Sequence, residues 1–94
     1  MEVKHIQRND KGAFKVFDGE AVAGVLEYEI TTSEVLTALH TEVSPAYEGK
    51  GLGAMLFNAL IDFVKEKELK IRPLCPFVKA RLNKDTSLHY LIAS

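Results

Sequence analysis

Ninety-four residues, 47% hydrophobic and 27% charged, make one small folded domain (1–94) and exclude a disordered or collagen-like chain. A net charge of −1 excludes the overall basicity of a nucleic-acid binder, although residues 1–62 hold ten acids and five bases while residues 63–94 hold seven bases and three acids. No apolar run approaches the ~18 residues of a membrane span, the first residues are polar where a signal peptide is apolar, and the lone Cys75 has no internal disulfide partner, so the cytoplasm is the expected compartment.

Residues 13–17 followed by Asp18-Gly19 predict a short strand ending in a hairpin turn, because Asp-Gly readily takes the positive φ such turns require. A second strand is expected over residues 21–30. Its alternation sets Val25, Glu27 and Glu29 on one side and Leu26, Tyr28 and Ile30 on the other, and Gly24 marks a bulge. After the polar turn Thr31-Thr32-Ser33-Glu34, residues 35–43 read as a third strand with Leu39, Thr41 and Val43 opposed to Leu36, Ala38, His40 and Glu42. The first half is therefore an antiparallel meander.

A glycine-rich loop, Tyr47-Glu48-Gly49-Lys50-Gly51-Leu52-Gly53, separates that strand from a helix running through Lys67. In the helix Leu52, Leu56, Ala59, Leu60, Phe63 and Val64 recur at three- and four-residue steps, and Asn58, Asp62, Lys65 and Glu66 take the other side. Residues 69–75 read as a strand, and Pro76 suits the first turn of a second helix through about residue 83, where a missing N–H costs nothing. Strand, helix, strand implies a parallel pair joined by a right-handed crossover. The tail, residues 85–94, carries Leu88, Tyr90, Leu91 and Ile92, enough to dock against the core. The class is α+β.

Three of the six glycines alternate in the loop, directly before a helix. The first turn of a helix leaves four N–H donors unpaired and carries partial positive charge, so a loop without Cβ atoms there suits a phosphate or diphosphate. Gly49-x-Gly51-x-x-Ala54 also fits a degenerate dinucleotide fingerprint, but the next strand ends Arg72-Pro73-Leu74-Cys75 with no acid for a ribose. The Walker pattern fails for want of Gly-Lys-Ser/Thr. A third reading, glycines that merely make a tight connection, stays open.

With these residues in view, the chain resembles the GNAT superfamily of acyl-CoA N-acyltransferases. Their signature is a strand, then Gln/Arg-x-x-Gly-x-Gly/Ala, then a helix whose start holds the CoA diphosphate; Glu48-Gly49-Lys50-Gly51-Leu52-Gly53 matches its last two glycines. His40-Thr41-Glu42-Val43 before the loop and Pro73-Leu74-Cys75-Pro76-Phe77-Val78 after the helix resemble very small stand-alone members, little more than a CoA-binding core. The resemblance covers residues 35–94, and the earlier strands agree with it in order and length. It implies a minimal GNAT fold, a mostly antiparallel sheet with one parallel strand pair around a central helix. It also implies binding of acetyl-CoA (coenzyme A) and N-acetyl transfer to an amine, carried by a small molecule or a protein.

By that resemblance the diphosphate rests on the N–H groups of Gly49 to Gly53, within the segment Glu48, Gly49, Lys50, Gly51, Leu52 and Gly53. Glu42 and Val43 give backbone contacts to the pantetheine arm, and Lys79, Arg81 or Lys84 meet the adenosine end. Glu48 stands where the family has Gln or Arg, and its carboxylate repels a diphosphate unless it turns outward; Lys50 compensates locally. No helical segment precedes the first strand to cover the acceptor side, so that side is expected to be open or completed by a partner.

His40 is the candidate base, since imidazole titrates near pH ~6.5 and alternation sets it beside Glu42; a structural histidine is the plainer alternative. Cys75 is expected where ligands meet open α/β sheets, close to the thioester. Acyl carrier, proton donor to the leaving thiolate and inert side chain all stay open for it. Tyr90 is a further candidate acid. His5 and His89 are expected at the surface, and Phe57, Phe63 and Phe77 in the core. No metal ligands are assigned, and neither nucleic acid nor membrane is an expected partner. A non-catalytic acyl-CoA sensing module and an interaction domain without cofactor are the competing functions.

Overall fold

Four antiparallel strands and one parallel strand make a single sheet in the order β1-β2-β3-β4-β5. They are β1 (Glu2–Arg8), β2 (Lys11–Asp18), β3 (Ala21–Ile30), β4 (Val35–Val43) and β5 (Lys70–Pro73). Helix α1 (Leu52–Lys67) links β4 to β5, and α2 (Pro76–Lys84) follows. The computed structural model describes residues 1–93. Among them no helix is long and apolar enough to cross a membrane.

The strands at 21–30 and 35–43 and the helix from Leu52 form as the patterning indicates. Strand β1 is additional: its polar alternation, Glu2, Lys4 and Arg8 around Val3 and His5, gives too few apolar residues to announce a strand. It forms because the exposed edge of β2 offers a ladder of unpaired N–H and C=O groups. The tail forms a 3-10 helix, Thr86–Leu91, that buries Leu88 and Leu91, and Ile92 bridges to Ile71. Ser94 lies outside the described residues.

Helix α1 packs its stripe Leu52, Leu56, Leu60 and Val64 onto Phe14, Val16, Leu26, Tyr28 and Leu36. The helix closes at Glu68, a non-glycine residue at φ 56°, where the Glu68 and Leu69 N–H groups donate to the Lys65 and Val64 carbonyls. A Cβ on Gly12 would strike the Tyr28 ring, at 2.4 Å from Cζ, so glycine is what lets that phenol lie flat across β2. The bulge foreseen at Gly24 falls one residue earlier, where Ala23 is the extra residue opposite Val16 and Phe17.

Strand β4 departs from simple alternation. Glu27 pairs with His40 but Tyr28 with Ala38, which makes Leu39 a bulge residue. The extra residue flips the face of everything after it. Leu36 and Ala38 therefore share the helix-covered face with Thr41 and Val43, whereas His40 and Glu42 stand together on the uncovered face. The expected opposition of Thr41 and Val43 to Leu36 and Ala38 is corrected accordingly.

His5 lies at the surface, as expected, with its ring laid against an aromatic cluster: it is stacked on Phe14 at 4.3 Å and edge-on to Phe63 at 4.6 Å, with Nε2 at 2.5 Å from the Tyr28 hydroxyl. Desolvation, and secondarily the Lys67 charge, hold its pKa below the usual value. Below about pH 6.5 the unfolded chain binds a proton that the folded ring resists, so stability falls as pH drops through that value and levels off below the folded pKa. Thermal unfolding midpoints should therefore fall between pH 7.5 and 5.5, and fall less in His5→Gln. Equal slopes for the two proteins would exclude this linkage.

Candidate functional site

Each loop glycine has its own local reason. Gly49 and Gly51 sit at φ 77° and 78°, in the left-handed region that side chains resist, with nothing within 4 Å of where a Cβ would be. Gly53 is different: a Cβ there would come within 2.8 Å of the Phe77 ring, so the third glycine lets α2 close on the start of α1. A tight connection thus explains which residues are glycine. It does not explain why the donors are bare.

None of the N–H groups from Gly49 to Gly53 has an acceptor among the described residues. Helix α1 begins at Gly51 with no side-chain cap and no acid in its first turn. Most helices satisfy such donors with a Ser, Thr, Asp or Asn side chain. Here no side chain caps them and the positive end of the helix dipole lies behind them, a constellation that fits a diphosphate. The Glu48 N–H, by contrast, donates to the Pro45 carbonyl, and its side chain is exposed. Lys50 is exposed too. Leu52 points its side chain into the core and offers only its N–H. The loop is anchored by Tyr47, whose hydroxyl donates to Asp18 Oδ2 at 2.7 Å. That hydrogen bond, with smaller effects of burial and of the Asp18 charge, raises the phenol pKa.

Beside the loop the sheet opens. Strands β4 and β5 pair only from Val35 with Lys70 to Ala38 with Pro73. The Ala38 carbonyl then accepts from both Leu74 and Cys75, and the rest of β4 has no strand on that side. The Ser44 N–H donates to Ala23 in β3, so the ladder's period of two turns the main-chain groups of Glu42 and His40 toward β3. Those of Thr41 and Val43 are left facing the gap. Of the two residues expected to give backbone contacts, Val43 therefore faces the opening and Glu42 does not.

Cys75 lies at the head of the gap, 3% exposed, where it precedes the first turn of α2. Its Sγ donates to Thr41 Oγ1 at 3.3 Å. His40 is exposed on the other face of β4, so the structure separates the two expected catalytic side chains by the thickness of the sheet. Tyr90 is removed from the gap. Its carbonyl accepts from Lys70, which pairs with Val35 at the far end of β4, about 20 Å from Thr41 at ~3.3 Å per residue. Arg81 lies over the Phe77 and Phe57 rings at 5.2 and 5.7 Å, which sets a cation one ring away from the helix start. Lys79 and Lys84 are exposed on the same helix. The groove between α1 and α2, about 1050 Å³, runs from Arg81 toward Asp85.

Thr41 is the residue that sequence patterning passes over, because only the bulge at Leu39 turns it toward the thiol. A family model described as GCN5-related N-acetyl-transferase matches residues 13–91. Protein NATD1 of Homo sapiens is 34% identical over 91 residues, covering 97% of this chain and 80% of that protein. The Danio rerio protein of the same name is 28% identical over 91 residues, covering 97% and 82%. The solution structure of a GCN5-like candidate N-acetyltransferase from Staphylococcus aureus matches with TM-score 0.74 at 29% identity, over 99% of this chain and 88% of that one. An aminoglycoside acetyltransferase from a soil metagenomic sample, solved with trehalose, shares the fold at TM-score 0.63 and 16% identity, over 86% and 58%.

Proposed function

Because the chain belongs to the GCN5-related N-acetyltransferase family, we propose that it binds acetyl-CoA along the β4–β5 gap and transfers the acetyl group to an amine. The observation that carries this reading is the row of unpaired N–H groups from Gly49 to Gly53, set at an uncapped helix start beside diverging parallel strands. The diphosphate of CoA rests on that row, and Arg81 adds positive charge nearby. Main-chain groups of Thr41 and Val43 hold the pantetheine arm as a strand would, by hydrogen bonds across the gap.

Acetyl-CoA supplies an acyl carbonyl already activated as a thioester. His40, on the face of β4 away from the helices, takes the proton of an amine that approaches over that face. Cys75, held by Thr41, gives its proton to the departing thiolate and recovers one from solvent. A donor role suits it better than that of acyl carrier, since at 3% exposure its sulfur has little room for an acetyl group.

Amide shifts followed during addition of acetyl-CoA, CoA and NAD to separate samples test the binding. Resonances of Gly49 to Gly53, Thr41 and Val43 should move with both CoA compounds and not with NAD. Unmoved loop resonances at millimolar CoA would end the reading. The placement of His40 and Cys75 on opposite faces favours a second one, a binding module without turnover. Loss of acetyl transfer by about a hundredfold in His40→Ala, with CoA binding kept, identifies an enzyme. Tight binding without transfer to a polyamine, a lysine peptide or an aminoglycoside identifies a module.

A further inference from the structure

On the face of the sheet away from α1 and α2, Thr37 is closed over, 3% exposed and hydrogen-bonded to Thr31, while the charged side chains of the face are arranged in two halves. Pairing across the strands fixes its rows: Lys4, Lys15, Val25, Glu42; then Ile6, Ala13, Glu27, His40; then Arg8, Lys11, Glu29, Thr37. On β1 and β2 the ionic side chains of this face are Lys4, Arg8, Lys11 and Lys15, with one acid, Glu2, whose carboxylate lies 3.9 Å from the Lys4 ammonium. On β3 and β4 they are Glu27, Glu29 and Glu42. Between and around them lie large apolar groups in contact with water, Ile6, Val22 and Leu39 at 47%, 46% and 41% exposure. Lone exposed apolar side chains are ordinary, but three on one sheet face split into a basic and an acidic half are not.

We propose that this face is where two copies of the chain associate, about a two-fold axis parallel to the strands and lying between β2 and β3. Rotation about that axis sets β1 over β4 and β2 over β3 of the second copy and keeps each row opposite itself. Lys4 then meets Glu42 of the second copy, Lys11 meets its Glu29, and every contact occurs twice. An axis across the strands would lay lysine strands on lysine strands. The charge pattern therefore selects both the partner and its orientation, and sheet twist allows the two strand sets to cross at about 30°. Four strands at ~4.8 Å and about eight residues at ~3.3 Å give roughly 500 Å² in plan, the order of the ~800 Å² per partner of a standard interface. In this pairing Ile6 of the second copy lies over His40, so the dimer covers the face over which the amine approaches and the monomer exposes it.

Lys4 and Glu42 sit three strands apart in one copy, about 14 Å, so they can couple only through a partner. Sedimentation equilibrium from 10 μM to 1 mM should show a dimer that Lys4→Glu and Glu42→Lys each weaken at least tenfold. The doubly exchanged protein should regain the wild-type dissociation constant, and high salt should weaken the wild type. A monomer throughout, a dimer indifferent to both single exchanges, or no recovery in the double exchange would overturn the proposal. Outer-face amides that move with spermidine rather than with protein concentration would overturn it in favour of a cationic ligand. Association rests on the sheet face alone, so it can fail while CoA binding at Gly49 to Gly53 stands, and the reverse.

Discussion

Leu60→Ala should lower the midpoint of thermal unfolding by at least about 10 °C. Leu60 is fully buried at the centre of α1's apolar stripe, between Leu56 and Val64, in the core that α1 makes with the sheet. Removing its branched end costs the transfer free energy of the lost atoms plus that of the cavity left behind, together about 2–5 kcal/mol. Small domains hold only about 5–15 kcal/mol in all, and at this size each kcal/mol shifts the midpoint by roughly 4–8 °C. The exposed Asn58, on the same helix, provides the control: Asn58→Ala should stay within about 0.5 kcal/mol of the wild type. Differential scanning calorimetry on both variants decides it, and a shift under about 2 °C for Leu60→Ala would mean that α1 does not organise the core.

Gly51→Ala should weaken CoA binding about tenfold or more while leaving the fold in place. At φ 78° an alanine is strained by about 1–2 kcal/mol, and an added Cβ touches nothing, so the loop can relieve the strain only by turning its N–H groups elsewhere. A loss of 1.4 kcal/mol corresponds to about tenfold in affinity. Asparagine tolerates the left-handed region better, so Gly51→Asn should bind CoA more tightly than Gly51→Ala. Gly53→Ala separates packing from ligand geometry, because its Cβ would press on the Phe77 ring at 2.8 Å and so act first on stability. Titration calorimetry with CoA and a thermal melt for each variant read the two effects. Unchanged affinity in Gly51→Ala would remove the loop from the binding site.

The sequence by itself determined the local elements and the kind of site. Gly19, at φ 62°, closes the hairpin with Glu20, one residue beyond the expected Asp18-Gly19; three- and four-residue spacing from Leu52 to Lys67 makes the helix, and glycines at the helix start strip side chains from its donors, all through interactions within a few residues. Tertiary structure alone decided which side chains meet. One extra residue at Leu39, invisible to a period-two pattern, carries Thr41 to Cys75 and leaves His40 on the far face. Strand β1 and the aromatic contacts of His5 likewise depend on partners far along the chain, the edge of β2 and the ring of Phe63, which β1's own residues do not specify. Local geometry is written in neighbouring residues; the facing of a side chain depends on every register shift between it and its partner.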